Sequence, residues 1–196
     1  MAEGRALNLI LDFDGTLATL PVDWRTLREK IRELHGDLGQ SETIFAWLLT
    51  RKRKGLEVAH ILELVEKAEE EAVEKLDYKR EVVRLLRELK VKDVKLAIVS
   101  MQGEKTLRKA LKLMGIEEVF DQIVSRDFSL SREEQLMEVL AKWKIKPQEA
   151  IFMSDRVDDI NLGRRLGLKA FRAKASDGGI IKVLDKLVGK RQERKT

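Results

Sequence analysis

The feature that most constrains this chain is a change of rhythm near residue 79. From there, short runs rich in Val, Ile, Leu and Phe alternate with longer amphipathic segments. That pattern predicts helices over 80–89, 104–114, 132–143, 159–166 and about 179–188, and strands over 94–99, 121–124, 150–153 and 169–172. An earlier apolar run, 7–13, reads as one more strand, and its unbroken hydrophobicity suits the centre of a parallel sheet covered on both faces. Helices alternating with strands make a doubly wound parallel sheet, and Gly115 and Gly167 stand where two of the helices should end. Between the first strand and this alternation the texture differs. Leu27, Ile31 and Leu34, then Ile44 and Leu48, then Val58, Leu62, Val65, Ala72 and Leu76 recur at helical spacing. HGDLGQS and KRKG punctuate them, with Ser41 expected as an N-cap. The expected architecture is therefore α/β: a Rossmann-like, doubly wound core made of 1–19 and 79–196, with a small all-helical unit, 20–78, inserted after the first strand.

Composition excludes several chemistries. The chain has no cysteine, so disulfides, a thiolate nucleophile and zinc–sulfur sites are ruled out. Charged residues make up 37% of the chain, yet 39 basic and 34 acidic groups leave a net charge of only +5, the balance expected of ion-paired helix faces. The densest basic stretches, RKRKG at 51–55 and GKRQERKT at 189–196, read as a charged helix end and a tail. With aromatics at only 5%, there is little stacking surface for single strands, and no nucleic-acid partner is expected. The apolar run near the N-terminus is short and interrupted by Asp12, unlike a signal peptide or membrane span. A soluble, cytoplasmic protein is expected, with no membrane partner.

Ligands of open α/β sheets bind beyond the carboxyl ends of the strands, and there this sequence concentrates acid. The stretch LILDFDGTL ends its apolar run with Asp12 and Asp14; the strand ending at 99 delivers Ser100; the strand ending at 153 delivers Asp155, then Asp158 and Asp159. Asp158 reads as an acidic helix start. Like charges gathered in one cleft repel unless a cation neutralises them, and a set of hard oxygens selects Mg²⁺. A metal held so attracts phosphate.

DFDGT at 12–16, IVS ending at Ser100 and MSDRVDD at 153–159 resemble, in order, the first, second and fourth motifs of the haloacid dehalogenase-like superfamily. The resemblance covers about residues 5–19 and 79–180, and the helical insert is similar in place and size to that superfamily's C1-type cap. It implies a phosphatase that works on a small phosphorylated metabolite through an aspartyl-phosphate, as a monomer or small homo-oligomer. Asp12 would be the nucleophile and Asp14 the general acid and base, while Ser100 would hydrogen-bond the transferred group. Gly15, Thr16, Ser100 and Met101 would line the phosphoryl site. Mg²⁺ would be held by Asp12, the Asp14 carbonyl, Asp155 and, directly or indirectly, Asp159. Gly15 would also let the chain turn sharply and free backbone N–H groups for phosphate oxygens.

Two positions depart from the family pattern. Ser154 stands where the fourth motif has Gly, and Arg132 stands at the place of the third-motif Lys. Arg132 has two readings: a catalytic cation holding phosphate, or a surface arginine behind an N-cap at Ser131. Family dehalogenases lack the acid two residues after the nucleophile, so Asp14 favours phosphoryl chemistry. A phosphonatase would need a Schiff-base lysine, and nothing distinguishes Lys30, Lys52, Lys54, Lys67 or Lys75. The alternatives are a sugar phosphomutase of the same superfamily and, ranked well below a phosphatase, a non-catalytic phosphate- and metal-binding protein and nucleic-acid binding through 51–54 and the basic tail. His35, His60, Trp24, Trp47 and Trp143 read as packing or surface residues.

Overall fold

The computed structural model describes residues 7–36, 38 and 43–192. In chain order they form β1 (Asn8–Asp12), β2 (Ala18–Thr19), α1 (Trp24–His35), α2 (Ile44–Arg53), α3 (Ala59–Val73), β3 (Asp77–Tyr78), α4 (Arg80–Val91), β4 (Lys95–Val99), α5 (Glu104–Met114), β5 (Gln122–Val124), α6 (Arg132–Trp143), β6 (Ala150–Ser154), α7 (Val157–Arg165), β7 (Lys169–Arg172) and α8 (Gly179–Gln192). The main sheet runs β5-β4-β1-β6-β7, with every pairing parallel. As β1 lies in the middle, with Asp12 beside Val99 and Leu11 beside Met153, the carboxyl ends of β1, β4 and β6 open side by side. The strand order reverses at β1, the place where such sheets form a crevice.

Period-two alternation sorts the strands between two layers. Leu9, Leu11, Leu96, Ile98 and Met153 pack against α4, α5 and α8, while Ile10, Ala97, Val99 and Phe152 pack under α6 and α7. Asp12 shares the parity of Ile10, so its side chain leaves the strand on the side of α6 and α7. The helices of the core match the sequence expectation closely, except that α7 starts at Val157, two residues earlier, and α8 runs on to Gln192.

In the insert, Leu27, Ile31, Ile44, Trp47, Leu48, Ile61, Val65, Ala72 and Val73 are buried in continuity with the first layer's core. The insert is entered and left through an antiparallel ribbon, Ala18–Thr19 paired with Asp77–Tyr78. Residues 77–78 are thus strand rather than helix; two-residue strands carry no periodicity for a sequence to display. Leu34 follows the helical spacing but is 55% exposed, on the flank of α1. Ser41 lies outside the described residues; the α2 cap is Thr43, whose Oγ1 accepts the Ala46 N–H at 3.1 Å. Arg51, Lys52 and Arg53 form the last turn of α2, with Arg51 4.8 Å from the Trp47 ring centroid, which is the charged helix end expected. Residues 193–196 of the basic tail lie outside the described residues. Among the described residues, no helix is long and apolar enough to cross a membrane.

Candidate active site

β1 delivers Asp12 at its last position with 4% of its surface exposed. Its carboxylate is held from two sides. Arg132 Nη2 donates to Oδ1 at 2.8 Å, and Thr16 Oγ1 donates to Oδ2 at 3.2 Å. Thr16 Oγ1 in turn accepts the Asp155 N–H at 2.9 Å, tying the turn after β1 to the turn after β6. Thr16 therefore acts on Asp12 and Asp155. The backbone N–H groups of the Gly15 turn are not free: Gly15 donates to Ala18 O at 2.8 Å and Thr16 to Phe13 O at 3.2 Å. Those two amides bond within the turn, which closes on itself. The glycine is still required, because φ is +78° and a Cβ there would lie 2.6 Å from Asp155 Oδ2.

Arg132 is the first residue of α6, and Ser131 does cap the helix, accepting from the Glu134 N–H. The cap coexists with a side chain turned to Asp12. Arg132 is 8% exposed and reaches across the cleft: besides Asp12, its Nη1 donates to Gln135 Oε1 at 2.9 Å. Nε lies 3.2 Å from Asp159 Oδ2, an ion pair whose N–H is poorly aligned for a hydrogen bond. Burial opposes its charge, yet Asp12 and Asp159 together raise the guanidinium pKa further.

Ser100 is fully buried; its hydroxyl donates to Gln102 Oε1 and accepts the Gln102 N–H at 3.2 Å. Its carbonyl accepts from Gln135 Nε2 at 2.9 Å. Met101, half-buried, turns its carbonyl to Arg126 Nη1 at 3.1 Å. Asp14 sits just past the strand, where its Oδ1 accepts the Leu20 N–H at 2.8 Å, at the entry to the insert. Asp155 is half-buried, and Asp158 is exposed in the first turn of α7. Asp159, also in that turn, accepts from Ser154 Oγ at 3.0 Å. Ser154 thus supplies a hydroxyl that glycine could not.

Charge balance is the main property of this cleft. Arg132 pairs with Asp12 and Asp159, while Asp14 and Asp155 act on Asp12 from the neighbouring turns. Burial, then Asp159, Asp155 and Asp14, push Asp12 up to about 7 although Arg132 pulls it down. Burial and Asp155 push Asp14 up to about 6 against the Leu20 N–H. Burial also raises Asp155, against Arg156 and Lys174. In each case burial is the main cause, and the neighbouring carboxylates add to it. The donor chemistry, carboxylate and backbone oxygens, fits Mg²⁺. Among the described residues, no three acid or histidine side chains converge as ligands, with the Arg132 guanidinium standing between Asp12 and Asp159.

A family model described as haloacid dehalogenase-like hydrolase matches residues 9–173. The chain belongs to that family. Haloacid dehalogenase-like hydrolases among solved structures share its fold at low identity. One is a candidate phosphoglycolate phosphatase from Lactobacillus plantarum, with TM-score 0.65, 18% identity and 86% of each chain covered. Another is CbbY from Rhodobacter sphaeroides in complex with phosphate, with TM-score 0.64, 17% identity and 86% of each chain covered. A third is L-2-haloacid dehalogenase from Xanthobacter autotrophicus with chloropropionic acid covalently bound, with TM-score 0.60, 16% identity, and 85% and 77% of the chains covered. No curated protein matches the chain.

Several polar residues of the site were not singled out from sequence. Gln135 is fully buried and joins Arg132, Ser100 and Ser129. Its signal was available: it lies one helical turn after Arg132, on the side of α6 that also carries Leu136 and Val139 into the core. Gln102 follows Ser100 by two residues and carried no motif.

Proposed function

We propose that this member of the family is a Mg²⁺-dependent phosphomonoester hydrolase that acts on a small phosphorylated metabolite through an aspartyl-phosphate on Asp12. The supporting observation is the buried Asp12 carboxylate held by Arg132 and Thr16, with Asp14 two residues beyond it and Asp155 and Asp159 acting on it. An Asp12 carboxylate oxygen attacks phosphorus as the bond to the leaving oxygen breaks, and Asp14, whose carboxyl holds its proton up to about pH 6, passes that proton to the leaving alcohol. Asp14, now ionised, takes a proton from water; the water oxygen attacks phosphorus, releasing inorganic phosphate and the Asp12 carboxylate. Arg132 holds Asp12 by Oδ1 and offers Nε–H to the charge spread over the transferred group. Ser100 swings its hydroxyl from Gln102 to the same group.

The oxygens of Asp12 and Asp155 and the Asp14 carbonyl would hold the metal, with Asp159 acting through Ser154 and Arg132. When bound, Mg²⁺ neutralises the acid surplus and polarises the phosphoryl oxygens. The insert, over 20–78, serves as the cap that shields the cleft and selects the leaving group.

The test follows phosphate release from an aryl phosphomonoester with Mg²⁺, with a chelator, and in Asp12→Asn, alongside chloride release from 2-chloropropionate. Metal-dependent phosphate release that is lost in Asp12→Asn supports the reading. Chloride release without phosphate release would make the protein a dehalogenase, and isomerised sugar phosphate without free phosphate would make it a mutase.

A further inference from the structure

Glu69 and Arg126 form a second buried ion pair, on the side of the acid cluster where Asp14 still acts on Glu69. Glu69, in α3 of the insert, is fully buried, and Arg126, in the core turn after β5, is 6% exposed. Arg126 Nη1 lies 2.6 and 2.7 Å from the two carboxylate oxygens. The same nitrogen donates to Met101 O at 3.1 Å, the Arg126 N–H donates to Gln102 O at 3.2 Å, and Glu69 Oε2 accepts the Gly103 N–H at 3.2 Å. Three consecutive residues after Ser100 are thus tied to one ion pair that spans insert and core. The fit is close, since a Cβ on Gly103 would meet Arg126 Nη2 at 3.0 Å. Alongside, Glu70 pairs with Lys105 and Glu74 with Lys109, so α3 seats on α5 through a row of acid–base contacts.

A buried ion pair is a poor adhesive, because desolvating both charges offsets most of their attraction, and apolar residues of similar size bind two surfaces as well or better. What a charged pair adds is direction: its hydrogen bonds fix where the backbone of 101–103 lies relative to α3. We propose that Glu69 and Arg126 are positioning residues that couple the seating of the insert to the shape of the loop 100–103, so that Ser100 and Met101 meet a phosphoryl group only when α3 is docked. This rests on the phosphohydrolase reading for the role of the loop; the coupling itself is a property of the chain alone.

The experiment compares Glu69→Leu, Arg126→Met, their double variant and Glu69→Gln in the full chain. It measures Mg²⁺-dependent aryl phosphate hydrolysis and amide hydrogen exchange. Displacing the loop should lower kcat by about 30-fold in each Leu or Met variant with KM changed by less than about threefold. The double variant should be no worse than the worse single one, since both break the same tie. Glu69→Gln keeps an acceptor for the Gly103 N–H and should return kcat to within about threefold of the parent. Exchange at 102–104 should quicken in Glu69→Leu and Arg126→Met while β1 and β6 stay protected. Unchanged exchange at 102–104, or kcat within twofold of the parent in folded Glu69→Leu, overturns the proposal. If the parent hydrolyses no phosphomonoester, the functional reading fails, and the exchange result alone decides the coupling. If Glu69→Leu does not fold, Glu69→Gln and Arg126→Met carry both readouts.

Discussion

Two buried arginines in this molecule each hold a carboxylate, and they live in opposite electrostatic surroundings. Arg126 faces one acid, Glu69, both of whose oxygens it contacts and one of which also accepts a backbone N–H, and the arginine donates further to loop carbonyls. Arg132 faces Asp12 and Asp159 within 3.2 Å, with Asp14 and Asp155 acting on Asp12 as well. The first pair is closed and balanced, which is what a structural tie requires. The second is open and acid-rich, a poor arrangement for stability but a suitable one for receiving a cation and a phosphoryl group. Burial alone does not distinguish a site from a tie; the surplus of like charge does.

The comparison breaks most visibly in turnover. Asp12→Asn should lower kcat for an aryl phosphate by on the order of 10³-fold or more, measured in steady state with Mg²⁺, because no carboxylate is left to form the intermediate. Arg132→Ala should cost roughly 10²-fold in kcat, with Arg132→Lys restoring part of it as a point charge without the fork. If Arg132→Ala turns over like the parent, the cleft guanidinium is only a structural partner of Asp12. Stability should separate the two regions in the opposite sense. Glu69→Leu strands Arg126 and should lose about 3 kcal/mol in urea denaturation. Asp14→Asn removes a charge the fold resists and, in metal-free protein at pH 8, should gain about 1 kcal/mol.

Acidity joins the two regions instead of separating them. Folding raises Asp12 from 3.8 to about 7, Asp14 from 3.8 to about 6 and Glu69 from 4.5 to about 7, in each case chiefly by burial. The folded chain then binds more protons than the unfolded one between about pH 4 and 7, so metal-free stability falls as pH rises through that window. Thermal melts of chelated protein should show the midpoint dropping by several degrees from about pH 5 to 8, and Mg²⁺ should reverse the drop at the upper end. The smallest effect is expected outside both buried pairs: Lys105→Ala or Lys109→Ala removes an exposed partner of α3 and should change stability by less than about 1 kcal/mol.

The sheet was readable from sequence because its signals are repeated. Leu9 through Leu11, Leu96 through Val99 and Ala150 through Met153 are apolar runs that recur between amphipathic segments, and the helices between them bury one stripe each. The acids at their ends were readable because strand ends in a parallel sheet must converge. What was not readable carries a single residue's worth of signal. Glu69 follows Val65 by four on the buried stripe of α3, a polar break in an apolar series, yet its partner lies 57 residues away in a turn without pattern. The β2–β3 ribbon is too short for a period. Arg132 could be placed at the right point of the chain, but only its orientation toward Asp12 rather than solvent distinguishes a cleft cation from a surface one.

The most direct test of the central claim is to trap the intermediate. Asp14→Asn, which should accept the phosphoryl group from an activated aryl phosphate but release it slowly, is quenched in acid after mixing with substrate and Mg²⁺, and its peptides are analysed by mass spectrometry. A hydroxylamine-labile gain of one phosphoryl group on the peptide containing Asp12, absent when Asp12→Asn is added, is the predicted result. Phosphate release by the parent with no label on Asp12, or a label that persists in Asp12→Asn, would contradict it.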